Sequence, residues 1–170
     1  FLIASHRNQS YGITAGHLCI QGPPPGAIFE DGSTPQVLQR IEVLSLNSVI
    51  PISAQVINID ASLDLCLLQI ASPARQVIEL SSEPPKRGER AFTMAAPLGT
   101  FDAAGGLLLT FDGYYSGTTL ANPLAAYGSK PTLFDAYTIP SQHGSSGSPI
   151  MNERGQLIGV TSMALTRFEN

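Results

Sequence analysis

Three residues of this chain have the types and settings that nucleophilic chemistry needs. They are His17 in "TAGHLC", Asp64 just ahead of the apolar run Leu65 to Leu68, and Ser146 in "GSSGSP". A serine hydroxyl is a weak nucleophile until a base takes its proton. A histidine does this best when a carboxylate holds its tautomer and stabilises the imidazolium. The oxyanion formed by attack on a carbonyl needs two N–H donors, and Gly144 and Gly147 let the backbone come close. Taken singly, each residue has an ordinary explanation. His17 fits a structural histidine at a strand end, Asp64 a turn aspartate (a role that suits Asp60 well), and the serines a solvated loop. The combination, in the order His17, Asp64, Ser146, is what points to catalysis.

Other nucleophile motifs do not fit. The Gly-x-Ser-x-Gly elbow stands between a strand and a helix. Here Ser148 takes its last position and Pro149 follows, which blocks a helix interior. A phosphate-binding loop would end in Lys-Ser or Lys-Thr, and none is present. His143, three residues before Ser146, is either an exposed loop histidine or a wall of a substrate pocket that assists an acidic side chain.

The elements that must position these residues read as strands. Short apolar or alternating runs occur at Phe1–Ala4, Tyr11–Thr14, Arg40–Leu46, Ala54–Asn58, Leu65–Ile70, Arg90–Met94, Leu107–Tyr114, Asp135–Ile139 and Leu157–Ser162. Gly, Pro, Ser, Asn and Asp clusters separate them, among them 22–26 and 31–33. With 13 Pro and 16 Gly and no sustained helical period, the pattern predicts an all-β sandwich or barrels. A charged, proline-containing stretch at 81–89 divides the chain. The expected layout is a first β module over 1–80 with His17 and Asp64, a linker at 81–90, and a second module over 91–170 with Ser146.

The bulk numbers agree with a folded domain. The chain has 170 residues, 43% of them hydrophobic, so a core is affordable. Charged residues make up 13%, against the usual quarter or so, and the net charge is −4. No basic stripe is present, which argues against nucleic acid, and no apolar run is long enough for a membrane span. Two cysteines make no disulfide framework, and three histidines with no Cys/His cluster predict no metal. Cys19 and Cys66 each lie two residues beyond a candidate site residue. Contact between His17 and Asp64 would bring them close, as two buried thiols or as a bridge. The first residues carry no signal-peptide pattern, so the compartment stays open, an extracytoplasmic or viral setting included.

The boxes resemble those of the trypsin/chymotrypsin-like serine proteases. "TAGHLC" is similar to their Thr-Ala-Ala-His-Cys, "DLCLL" to their Asp-Ile/Leu-Ala-Leu-Leu, and "GSSGSP" to their Gly-Asp-Ser-Gly-Gly-Pro. "GQLIGVTSM" resembles the strand that lines the specificity cleft. "AQVINIDASLDLCLL" and "AAPLG" are nearest to bacterial Deg-type and viral or phage members. The resemblance implies two six-stranded antiparallel barrels and a serine endopeptidase without a cofactor that cleaves polypeptides. His17 is then general base and acid, Asp64 orients it, Ser146 attacks, and the N–H groups of Gly144 and Ser146 form the oxyanion hole. Pro140, Ser141, His143, Thr161, Ser162, Met163 and Ala164 wall the pocket, with Ser162 touching substrate or Asp64. The uncharged pocket candidates argue against a trypsin-like demand for Lys or Arg and favour a small or medium apolar residue.

There are departures. Ser145 stands where trypsin-like zymogens carry an aspartate that pairs with a freshly cut N-terminus, so no such dependence is expected. Cys19 lies one residue later than the family's cysteine. The opening "FLIAS" suggests that the first barrel lacks its N-terminal strand, and the close of the chain that the terminal helix and part of the pocket are absent. A protease fold kept for binding or structure, such as a self-cleaving module of a viral polyprotein, is the alternative.

Overall fold

The computed structural model describes residues 1–21, 36–43, 50–73, 76–97, 108–125 and 128–163. The turns read at 22–26 and 31–33, residues 44–46 and 107, and Ala164 lie outside them.

The first sheet is built from β1 (Leu2–His6), β2 (Gln9–Ala15), β5 (Arg40–Val43), β6 (Ile52–Asp60) and β7 (Leu65–Ile70), with β3 (Ile20–Gln21) and β4 (Gln36–Val37) pairing separately as a short ribbon. Its order is β1-β2-β7-β6-β5 and every pairing is antiparallel. β7 runs down the centre, and the period-2 rule decides which of its side chains go inward. Cys66, Leu68 and Ile70 face the core and join Cys19 and Ala54, with Leu2, Ile41, Val43, Ile52, Val56 and Ile59 packed around them. β6 keeps its inward set despite a register shift between Val56 and Asn58. Ile57 is the residue left over, and it points to solvent at the shift.

The second sheet contains β8 (Arg90–Ala95), β9 (Leu109–Ala121), β10 (Thr132–Tyr137), β11 (Pro149–Met151) and β12 (Leu157–Val160), in the order β10-β9-β8-β11-β12. Ala91, Thr93, Ala95, Ile150 and Leu157 are its buried inward residues. Each sheet thus has five strands among the described residues, where the sequence suggested barrels of six. β11 escaped the sequence reading because it is three residues long and opens with a proline, which normally demotes a strand. Pro149 still bonds to a neighbouring strand, because its carbonyl accepts from Thr93 Oγ1, at 2.8 Å.

The segment between the sheets is tied down on both sides. Ile78 N–H donates to the Leu2 carbonyl at 2.9 Å, while Leu157 N–H donates to the Glu79 carbonyl and Ser81 N–H to the Leu157 carbonyl at 2.7 and 2.9 Å.

Cys19 and Cys66 form a disulfide, with both residues fully buried and their Cα atoms 6.5 Å apart. The bridge ties the turn after β2 to the central strand across a separation of 47 residues. A loop of that size corresponds to roughly 4 kcal/mol in the chain-entropy treatment. The double variant Cys19→Ala/Cys66→Ala is therefore expected to unfold about 10 °C below the parent in calorimetry. A midpoint within about 2 °C of the parent would show that the core holds this region without the bridge.

Candidate active site

His17 reaches its position through the local backbone. β2 ends at Ala15, and a single 3-10 turn over Gly16–Cys19 carries the histidine out of the sheet. That turn sits directly against Asp64. Gly16 N–H donates to the Asp64 carbonyl at 2.7 Å. A Cβ on Gly16 would lie 3.0 Å from both the carbonyl carbon and Oδ1 of Asp64, so the smallest residue suits this approach.

Asp64 closes the turn between β6 and β7 with a positive φ of 53°, a conformation that aspartate tolerates better than most residues. The same turn is braced by the other carboxylate, Asp60. Its Oδ1 accepts from Ser62 and Leu63 N–H at 2.9 and 3.1 Å. So Asp60 caps an exposed turn, and Asp64 is 0% exposed. A carboxylate taken out of water is very costly unless donors surround it. Among the described residues the Asp64 carboxylate accepts three hydrogen bonds: His17 N–H to Oδ1 at 2.8 Å, His17 Nδ1 to Oδ2 at 2.9 Å, and Ser162 Oγ to Oδ2 at 2.5 Å. A carboxylate can only accept, so the imidazole must donate from Nδ1. That leaves Nε2 of the neutral ring as an acceptor, on a side chain 34% exposed.

The loop before β11 approaches from the second sheet. Ser145 N–H donates to the Gln142 carbonyl at 2.9 Å, Ser148 N–H to the Ser145 carbonyl at 3.1 Å, and Gly147 N–H to the Thr161 carbonyl at 2.7 Å. Gly144 and Gly147 have positive φ of 92° and 79°. Gly147 has a further reason to lack a side chain. A Cβ there would stand 2.1 Å from Thr14 Oγ1 and 3.0 Å from Ala15 N, so the loop is pressed onto the end of β2, just before His17. The N–H groups of Gly144 and Ser146 have no acceptor among the described residues. Ser146 is half-buried, and no hydrogen bond joins it to His17 among the described residues.

The structure therefore brings His17, Asp64 and Ser162 into one hydrogen-bonded cluster and sets the loop of Gly144 and Ser146 beside it. Of the two contacts expected for Ser162, the one with Asp64 is present. Thr161 takes part through its backbone, which pairs with Gly147 and Ser148. Ser141 is half-buried, while Pro140, His143 and Met163 are exposed. The contact of Thr14 with Gly147 had no signal in the sequence, because it joins residues of different sheets. Arrangements of this kind can move a proton from a hydroxyl to Nε2 and offer two N–H groups to a developing oxyanion.

Two five-stranded antiparallel sheets with this cluster at their junction are a chymotrypsin-like double barrel. The chain belongs to the trypsin-like peptidase domain family, whose model it matches over residues 1–160. It is similar to the solved Rv3671c protease from M. tuberculosis in its active form, at 20% identity and a TM-score of 0.66, covering 94% of this chain and 60% of that one. The inactive form of that protease matches at 20% identity and 0.66 over 97% of this chain and 71% of that one. A serine-to-alanine mutant of the M. tuberculosis H37Rv protein, also inactive, matches at 19% and 0.62 over 98% and 69%. At these identities the likeness concerns the fold. No curated protein matches the chain by sequence. Among the described residues, no helix is long and apolar enough to cross a membrane.

Proposed function

We propose that the chain is the catalytic domain of a serine endopeptidase, with His17, Asp64 and Ser146 as its triad. The observation that carries this reading is the buried Asp64 carboxylate bonded to His17 Nδ1, with the Gly144 and Ser146 N–H groups of the adjoining loop lacking an acceptor among the described residues. His17 Nε2 takes the Ser146 proton as Oγ attacks a peptide carbonyl. Asp64 stabilises the imidazolium, and the two N–H groups hold the oxyanion. Collapse expels the amine, which takes its proton from His17 and leaves an acyl-enzyme. Water, deprotonated by His17, then releases the acid and restores the serine. The substrate is a polypeptide, with residues 140–143 and 161–163 flanking the side chain before the scissile bond. The two sheets serve as an N-terminal module carrying His17 and Asp64 and a C-terminal module carrying Ser146.

A second reading, a protease fold kept for binding, is favoured by one observation: Ser146 makes no hydrogen bond to His17. Fluorophosphonate labelling separates the two, because such probes react readily only with a serine activated by a base and an oxyanion hole. The parent chain is expected to label, and Ser146→Ala to remain unlabelled. A folded parent that stays unlabelled would overturn the endopeptidase reading in favour of the second.

A further inference from the structure

A cavity of about 330 Å³ lies between the segment 81–89 and the turn that joins β11 to β12. That volume is within the range of ligand pockets. Both walls are held by their own hydrogen bonds. In the first, Glu89 N–H donates to the Lys86 carbonyl and Glu89 Oε2 accepts from Lys86 N–H, each at 2.8 Å. Gly88 N–H and the Glu89 carbonyl pair with Tyr115 of β9, at 2.8 and 2.9 Å. In the second wall Asn152 is buried, and its Oδ1 accepts from Arg154 and Gln156 N–H, both at 3.0 Å.

These bonds leave the cations of the cavity without partners. Lys86 and Arg87 line one wall and Arg154 the other, three of the nine Lys and Arg of the chain. Among the described residues none of the three forms an ion pair or a side-chain hydrogen bond, whereas nearby Arg90 is paired with Asp112. Two carboxylates also line the space. Glu89 is engaged by Lys86 N–H, and the Glu83 carboxylate accepts no hydrogen bond among the described residues. Glu153, in the same turn as Arg154, is not part of the wall.

Guanidinium and ammonium groups on both sides of a formed cavity offer charge-assisted hydrogen bonds to carboxylates. Glu83 can accept from the N–H groups of an incoming backbone. Nucleic acid suits the space less well, because no aromatic side chain lines it for a base to stack on and Glu83 repels a phosphodiester. We propose that this cavity binds an acidic peptide segment of a partner protein, with its carboxylates on Lys86, Arg87 and Arg154. The lining includes none of His17, Asp64 and Ser146, so the proposal does not rest on the endopeptidase reading.

The probe is fluorescein-labelled hexaglutamate, followed by anisotropy in about 0.15 M salt, which screens remote charges of the chain beyond about 8 Å. The parent is expected to bind it and not to bind hexaglutamine. Lys86→Gln/Arg154→Gln removes one cation from each wall. It spares Arg87, which packs against β9: a Cβ on Gly117 would stand 2.8 Å from Arg87 Nη2. Both replaced side chains are exposed, so the thermal midpoint should stay that of the parent. Kd should rise about threefold or more, the scale of two exposed charge pairs. Arg40→Gln/Lys130→Gln removes the same charge from exposed positions outside the cavity and should keep the parental Kd. A parent that binds no hexaglutamate, or binds hexaglutamine as tightly, would overturn the proposal. So would a smaller rise in the cavity variant, or an equal rise in the outside variant, which would reveal only general attraction between charges. Tighter binding of an oligothymidylate of equal charge would replace it with a nucleic-acid site.

Discussion

Replacing Ser146 or His17 by alanine is expected to lower turnover of an unfolded protein substrate by about a million-fold, and replacing both should lower it scarcely further. The physical reason is that the two act as one device. Without the base, the hydroxyl keeps its proton; without the hydroxyl, the base has nothing to activate. What survives is the contribution of the oxyanion donors and of substrate binding, roughly 10³- to 10⁴-fold over water. Because Ser146 is half-buried in a loop held by the bonds of its neighbours, Ser146→Ala should unfold within a few degrees of the parent. Losses that multiply in the double variant would mean that the two residues work independently, and the triad assignment would fail.

The second large effect concerns Asp64. Asp64→Asn should reduce kcat by about 10⁴-fold. The amide tolerates the left-handed backbone at φ 53° and fills the same space, so the protein should stay folded. His17 Nδ1 and Ser162 both use the Oδ2 position, so an amide whose oxygen stays opposite His17 N–H turns its NH2 toward both of them. The ring then favours the tautomer with its proton on Nε2, which can no longer accept from the serine. Asp64→Ala acts differently. It strips the partners from His17 N–H, His17 Nδ1 and Ser162 Oγ at a fully buried position, and stability should drop by about 2–3 kcal/mol. Measuring kcat and the thermal midpoint for both variants separates the tautomer from the packing. An asparagine variant within tenfold of the parent in kcat would show that Asp64 only holds the fold together.

Much of the first sheet was legible because one strand carries it. β7 was read at its observed bounds, Leu65–Ile70, since a short apolar run between turns has few alternatives. The two carboxylates of the β6–β7 turn also separate by local rules, for Asp60 caps a turn while Asp64 adjoins the apolar run. The second sheet was less legible. β9 runs to Ala121, seven residues past the apolar run that announced it, because β10 supplies its hydrogen bonds there. β11 is a strand only because β8 and β12 flank it. Short segments take their conformation from their neighbours, which are remote in the chain.

The site divides the same way. Residue types and their local settings nominated His17, Asp64 and Ser146, because the chemistry of a hydroxyl, an imidazole and a carboxylate depends on composition and immediate context. The state of the cysteines was open in the sequence, since spacing alone does not bring two thiols together. The fold closes the bridge by setting the 3-10 turn after β2 over β7. The same holds for the bond of Ser162 to Asp64 and the pressure of Gly147 on Thr14. The sequence by itself determined an all-β chain of the trypsin-like kind and the residues eligible for its chemistry. Only the tertiary structure decided which of them touch, because contacts between sheets arise when both pack against a common core, and no local preference encodes them.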